Sequence, residues 1–404
     1  MRLLYLSPLA SMGGAERVLL DLLGMVRQAR PSWPVGLLVA HDGPLADDAR
    51  CLGVKTIIAP YPKEFARLGD AGLSGAAWAR FVGRAVSGSV STLAYVRHIR
   101  REVAEFAPDI LHSNGYKMHL VGACARPANA ALIWHFHDYL SSRPVSSRLI
   151  KQLKGRCSAI AAVSESVAGD IRRQLGDTVS VQAVWNAVDL SRFAPGGPRL
   201  DLDRLAGLPP AQPGVVRVGL LATFARWKGH ATFLEMLQPL VAQYNVRGYI
   251  VGGPLYETDG SQYTIEELRA TATRLGIAQS VGFTGFVHDP SAALRALDVV
   301  VHASTSPEPF GLSVAEAMAT AKPVVVSSAG GVVEFVTPER DALTYSPGDA
   351  QALSRQVRRL VTNAALRRQL GDAARQAATE RFNPARFAEQ MLALYARFDR
   401  AAAA

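Results

Sequence analysis

Short apolar runs of β type alternate with amphipathic helical segments along this chain, and the whole pattern starts again after residue 210. Leu3–Ser7, Val35–Ala40, Ile110–His112, Leu132–His135, Ala159–Val163 and Val181–Trp185 read as strands, with helices such as Glu16–Arg27 and Thr92–Phe106 between them. Val216–Leu221, Arg247–Val251, Val281–Thr284, Val299–His302 and Pro323–Ser327 form a second set. A run of consecutive β-branched and aliphatic residues, with no polar alternation, is buried on both faces. Strands of this kind belong to parallel sheets covered by helices on each side. Two such sets predict an α/β protein of two doubly wound, Rossmann-like domains.

The breaker clusters Phe193–Pro198 and Leu208–Gly214 read as the linker. The expected division is residues 1–193, residues 194–382, and a Pro-started amphipathic helix in 383–404 that packs back toward the N-terminal domain. Ala401–Ala404 is expected to fray. Ligands of open parallel sheets bind beyond the carboxyl ends of the strands, so with two sheets the site is expected in a central cleft. Its closure is expected as part of turnover.

With 404 residues, 49% hydrophobic and 19% charged, the chain can bury two sizeable cores. No run of 18 apolar residues occurs, and the opening MRLLYLSPLASMGGAER reads as a strand with no signal peptide evident. Cys51, Cys124 and Cys157 lack metal-ligand spacing and suit a reduced, cytoplasmic protein. The net charge of +10 is uneven: residues 1–200 hold 24 Lys and Arg against 15 Asp and Glu, residues 201–404 hold 20 against 19. A basic first half either reflects an Arg-rich composition or attracts an anionic partner such as a membrane surface. Nothing in the sequence has a nucleic-acid signature. Residues 63–100 mix Phe65, Trp78 and Phe81 with Arg67, Arg80 and Arg84. They read either as a basic amphipathic surface that touches membrane or as ordinary packed helices.

Glu308 and Glu316 bracket Pro309, Phe310, Gly311 and Leu312. On one helix two carboxylates eight residues apart would stand roughly 12 Å from each other. That exceeds the roughly 5–9.5 Å used by glycosidases. Pro309 and Gly311 place Glu308 on a loop and Glu316 on the following helix, an arrangement that suits a phosphate-bearing ligand. Ser11–Arg17, with Gly13 and Gly14, follows the first strand and offers a helix N-terminus. Arg226 and Lys228, in ARWKGH, hold the equivalent place in the second set and can neutralise a diphosphate. His135 and His137 share one strand face, but without further ligands at metal spacing they suit hydrogen bonding to a sugar hydroxyl or a phosphate better than a metal. Gly330-Gly331-Val332-Val333-Glu334 repeats the glycine-then-helix device. Asn114 and Asn186 lie near strand ends and are open to a turn role. No nucleophile elbow, Walker loop or GxGxxG is present.

Taken together, GGAER, HFHD, AVSES (162–166), WNAVDLSRF (185–193), ARWKGH, VGGP (251–254), FTGFVHD (283–289), EPFGLSVAEAMA and AKPVVVSSAGGVVE resemble the retaining glycosyltransferases of family 4, the group 1 transferases, which have the GT-B fold. The resemblance implies a nucleotide-sugar donor, UDP- or GDP-linked, and transfer to an acceptor hydroxyl. It implies that Glu316 binds the ribose, Glu308 the transferred sugar and Lys228 the phosphates. The amides of Phe310, Gly311 and Leu312 would face the diphosphate or sugar, and Phe286 and Val287 would frame the base. Gly13 and Gly14 would border the phosphate and His137 would touch the sugar. Many members carry an Arg five residues before the lysine; Thr223 stands there in this chain, and Arg226 would take over. No metal or other cofactor is expected, because the phosphate-neutralising groups would replace one and no Asp-x-Asp cluster lies in the site. The acceptor would be a glycan, lipid-linked or small, in envelope polysaccharide or glycolipid assembly, with the enzyme cytoplasmic or peripheral on the inner membrane face. A nucleotide-sugar 2-epimerase and a non-enzymatic basic scaffold are the alternatives.

Overall fold

The computed structural model describes residues 1–62, 89–255 and 261–399. Among these, the chain forms two compact units: Met1–Ala187 with Pro384–Ala404, and Val188–Asn383. The division therefore falls at Ala187 and Asn383 rather than after residues 193 and 382. Most of residues 63–100, read either as a basic surface that touches membrane or as ordinary packed helices, lies outside the described residues, as does the Ala401–Ala404 tail.

The first unit holds a seven-stranded parallel sheet, order β3-β2-β1-β4-β5-β6-β7. The strands are β1 Leu3–Ser7, β2 Val35–Val39, β3 Lys55–Ile58, β4 Ile110–Asn114, β5 Ala131–Phe136, β6 Ala159–Ala162 and β7 Val181–Ala183. Leu3 pairs with Val35 on one side and Ile110 on the other, which makes β1 central. β1, β2 and β4 are buried at every residue, as the apolar runs of β1 and β2 require, and β4 buries His112, Ser113 and Asn114 as well. Helices Gly14–Ala29, Ser89–Phe106, Tyr116–Ala125 and Glu165–Leu175 cover the sheet. Ser164, in the AVSES stretch, caps the last of these by accepting from Val167 N at 3.1 Å.

The second unit repeats the plan with six strands, order β10-β9-β8-β11-β12-β13. These are β8 Val216–Leu221, β9 Val246–Val251, β10 Val281–Gly285, β11 Val299–His302, β12 Val324–Ser327 and β13 Leu343–Tyr345. Its core joins Phe233, Leu237, Ile250, Val299, Val325 and Leu353. β3 and β13 are additions to the sequence reading. Both are short edge strands, paired on one side only, so neither has the long buried run that marks a strand in sequence.

Helix Pro384–Ala396 belongs to the first unit and packs against helix Gly14–Ala29. Tyr395, fully buried, meets His112 Nδ1 at 3.0 Å and the Tyr5 hydroxyl at 3.1 Å. Among the described residues no helix is long and apolar enough to cross a membrane.

Candidate active site

In the second unit, the loops after β8 and β11 are brought side by side because those strands are neighbours. Thr305 N donates to Trp227 O at 2.8 Å and Thr305 Oγ1 to the same carbonyl at 3.2 Å. Gly229, at φ +73, closes the first loop and caps helix His230–Gln243. A Cβ built there would lie 1.8 Å from Ala303 O, so a side chain is excluded by space as well as by backbone conformation.

This apposition sets Lys228 beside Glu308. The ammonium donates to both carboxylate oxygens, at 2.9 and 2.8 Å. Its nitrogen also sits 4.1 Å from the Trp227 ring centroid. His302 Nε2 lies 2.9 Å from Glu308 Oε2, and Ser304 Oγ donates to that oxygen at 2.8 Å. Glu308 is 5% exposed. Burial opposes its ionisation, but the Lys228 charge and the hydrogen bond from His302 outweigh it and hold the carboxyl well below the usual range. His302 Nδ1 is buried without a hydrogen-bond partner, and Nε2 faces a carboxylate oxygen, which can only accept, so Nε2 carries a proton. The backbone of Glu308 is tied as firmly: its N–H donates to Ala329 O at 3.1 Å, and its carbonyl accepts from Gly331 N at 2.7 Å. The Gly330-Gly331 turn is thereby part of the same construction.

Glu308 stands on the loop and Glu316 on helix Leu312–Ala319, as Pro309 and Gly311 predict. Gly311, at φ +97, caps that helix, and the Leu312 amide opens its first turn. The Phe310 side chain turns away into an aromatic cluster, 5.0 Å from Phe335 and 6.0 Å from Phe382. Phe286 is 60% exposed, and its ring covers Gly253, where a Cβ would approach it to 3.0 Å. Val287 follows it, partly buried, and Thr223 is partly buried in the turn after β8. The structure does not bring Arg226 to the Glu308–Lys228 pair. It is exposed, pairs with Glu267 at 2.7 Å and lies over Tyr263 at 4.5 Å. The reason is local: Arg226 opens a 3-10 turn, Arg226–Lys228, and three residues per turn separate its direction from that of Lys228. His230, next to the turn, is fully buried among Phe224 and Tyr263, and burial with the Lys228 charge pushes its pKa down to about 4.

In the first unit burial holds four histidines neutral. His135, in β5, and His137, just past its end, have ring centroids 4.2 Å apart with planes tilted by 40°. His137 Nε2 meets Asn114 Oδ1 at 2.5 Å. Burial lowers His137 to about 4 and His112 to about 3, and drives His119 and His135 well down. Gly13 caps helix Gly14–Ala29 at φ −110, a conformation open to any residue. Glu16 in its first turn is buried, which raises its pKa against the amides of Glu16 and Gly13. Among the described residues no group of three or more His, Cys, Asp and Glu could hold a metal ion.

His302 and Ser304 have no place in the motif reading, although both are polar residues at the carboxyl end of an otherwise apolar strand. That position was the available signal. Asn114 carries the same signal.

Residues 12–192 match the family model described as Glycosyltransferase Family 4, and residues 212–363 match Glycosyl transferases group 1. The chain is 26% identical over 312 residues to a sulfoquinovosyl transferase, SQD2, of Arabidopsis thaliana, covering 72% of this chain and 57% of the relative. It is 29% identical over 291 residues to a D-inositol 3-phosphate glycosyltransferase of Xylanimonas cellulosilytica, covering 69% and 66%. The matched parts span less than two thirds of those relatives' own lengths. Among solved structures, Alr3699/HepE of Anabaena, in complex with UDP and glucose, superposes with a TM-score of 0.79 at 23% identity over 98% of this chain and 99% of that one. The two doubly wound units are those of the GT-B fold.

Proposed function

We propose that this chain, which belongs to the group 1 glycosyltransferases of family 4, moves a sugar from a nucleotide-sugar donor to an acceptor hydroxyl with retention at the anomeric carbon. The observation that carries the proposal is the buried Glu308–Lys228 pair with His302 and Ser304 around it. An ammonium has three N–H donors and Glu308 takes two, so Lys228 has a donor to offer a phosphate without abandoning the carboxylate. As the bond from the anomeric carbon to the diphosphate oxygen breaks, the electron pair stays on the β-phosphate. A cation held rigidly there stabilises that charge, and the amides opening helix Leu312–Ala319 add to it. The acceptor oxygen then bonds to the anomeric carbon on the face the diphosphate leaves, and its proton passes to a phosphate oxygen. Glu308, kept ionised, receives sugar hydroxyls; Glu316 takes the ribose. The exposed Phe286 ring suits stacking on a base. The first unit, with its basic excess and neutral histidines, takes the acceptor, and the charge favours a lipid-linked or anionic acceptor in envelope assembly. With these groups in place the reaction needs no metal.

The relative solved with UDP and glucose makes UDP-glucose the first donor to try. A panel of UDP- and GDP-sugars is screened by thermal shift, since a bound donor raises Tm. One donor is expected to raise it, and Glu308→Gln to abolish transfer while the fold survives. No stabilising donor, parent-like turnover in Glu308→Gln, or epimerised sugar formed without acceptor would overturn the proposal.

A further inference from the structure

Asn114 ends β4, is 1% exposed, and has its amide held at both ends. Nδ2 faces Ala15 O at 3.5 Å, in the first turn of helix Gly14–Ala29, and Oδ1 faces His137 Nε2 at 2.5 Å. A backbone carbonyl only accepts, so the amide's NH2 end belongs toward Ala15 and its oxygen toward His137. That oxygen cannot donate. His137 must therefore carry a proton on Nε2, and in the neutral ring the lone pair falls on Nδ1.

We propose that Asn114 is a positioning residue that locks His137 in the Nε2–H tautomer, so that Nδ1 accepts a hydrogen bond and recognises a ligand hydroxyl, not a phosphate. The consequence for recognition rests on the reading under Proposed function. A diphosphate ester is ionised at neutral pH and offers only acceptors, which would face the Nδ1 lone pair. A sugar hydroxyl offers a donor. The ring stays neutral because burial holds it near 4. The histidines that feel a charge on it are His135 of β5, His112 of β4 and His119 of helix Tyr116–Ala125, all kept neutral by burial. Asp138, next in sequence, is paired with Arg143 at 3.1 Å.

The test is nitrogen NMR of the full chain labelled at histidine, without ligand, at pH 7. His137 is expected to show a protonated Nε2 and a lone-pair Nδ1. A proton on Nδ1, or an imidazolium at pH 7, overturns the lock. Asn114→Leu, which keeps the volume and loses the acceptor, is expected to mix the tautomers, and an unchanged spectrum overturns the lock. Asn114→Asp keeps an acceptor oxygen but adds a charge that favours the imidazolium. His137 is then expected to take up its second proton at higher pH than in the parent, and no such shift counts against the Asn114–His137 contact. In the transfer assay Asn114→Leu is expected to lower kcat on the order of tenfold, the effect of one hydrogen bond, with the donor KM little changed. Asn114→Asp is expected to recover activity as pH rises through its new midpoint. Equal, pH-independent loss in both variants overturns the positioning role. Because the tautomer is read without ligand, a lock found in a protein that no donor stabilises supports the lock and overturns only the proposed function.

Discussion

The two units share one topology and fill it with opposite electrostatics. β8 occupies in its sheet the place β1 occupies in the other, β11 that of β4, and β12 that of β5. After β8 and β11 the second unit sets Lys228 against Glu308. After β4 and β5 the first unit sets Asn114 against His137, with a stack of uncharged imidazoles behind them. A buried charge is tolerated where its partner is within hydrogen-bond distance. Buried imidazoles instead give up their protons. The same strand ends thus carry a charged pair in one unit and a neutral hydrogen-bonded pair in the other. The two helix starts differ as well, since Gly229 has a positive φ and a carbonyl where its Cβ would go, whereas Gly13 has a φ of −110 open to any residue.

The largest effect that sharpens this contrast is expected from Lys228→Met. It removes the cation from a carboxylate that stays buried. Breaking such a pair costs about 3–5 kcal/mol, and loss of the charge at the leaving group lowers kcat about 10²–10³-fold. Denaturant titration and single-turnover rates check both. Parent-like stability would mean that Glu308 does not depend on the pair.

Gly229→Ala comes next. Strain at a positive φ and the Ala303 contact are expected to remove at least about 3 kcal/mol. Gly13→Ala is expected to change stability by no more than about 1 kcal/mol. Equal effects in the two variants, measured by thermal unfolding, would erase the distinction between the two helix starts.

The units should also lose stability in different pH windows. His137 falls from 6.5 in the unfolded chain to about 4 in the fold. The unfolded state therefore binds the extra proton first, and stability is lost as pH drops from about 6.5 toward 4. His112 continues the loss toward 3. Glu308 is also depressed, so its contribution is complete above the ordinary carboxyl value near 4.5 and fades only below it. His230 gives the second unit a single histidine of the first kind. Hydrogen exchange read by peptide from pH 7 to 4 is expected to show the β4–β5 region loosening before the Glu308 loop. The reverse order would break the comparison.

The smallest effect is expected from Arg226→Ala. An exposed ion pair with Glu267 contributes little, and transfer is expected to stay within about threefold of the parent. A loss as large as that of Lys228→Met would bring Arg226 back to the phosphates and enlarge the charged site.

Much of this was legible in the residues. The apolar runs of β1 and β11 announce strands buried on both faces, and Pro309 and Gly311 separate Glu308 from the helix of Glu316. Strands β3 and β13 were not legible, because β3 opens on the exposed Lys55 and is only partly buried, and β13 has three residues with Thr344 at its centre. Arg226 and Lys228 look alike in sequence, yet one turn of backbone sends the first to Glu267 and the second to Glu308.

By itself the sequence determined the fold class and the two-unit repeat and singled out candidate residues for a phosphate-bearing ligand, because periodicity and glycine placement act locally along the chain. Tertiary structure alone decided which of those residues meet. Lys228 and Glu308 are eighty positions apart and Asn114 and His137 twenty-three. Strand order makes each pair adjacent, and burial then settles which protons stay.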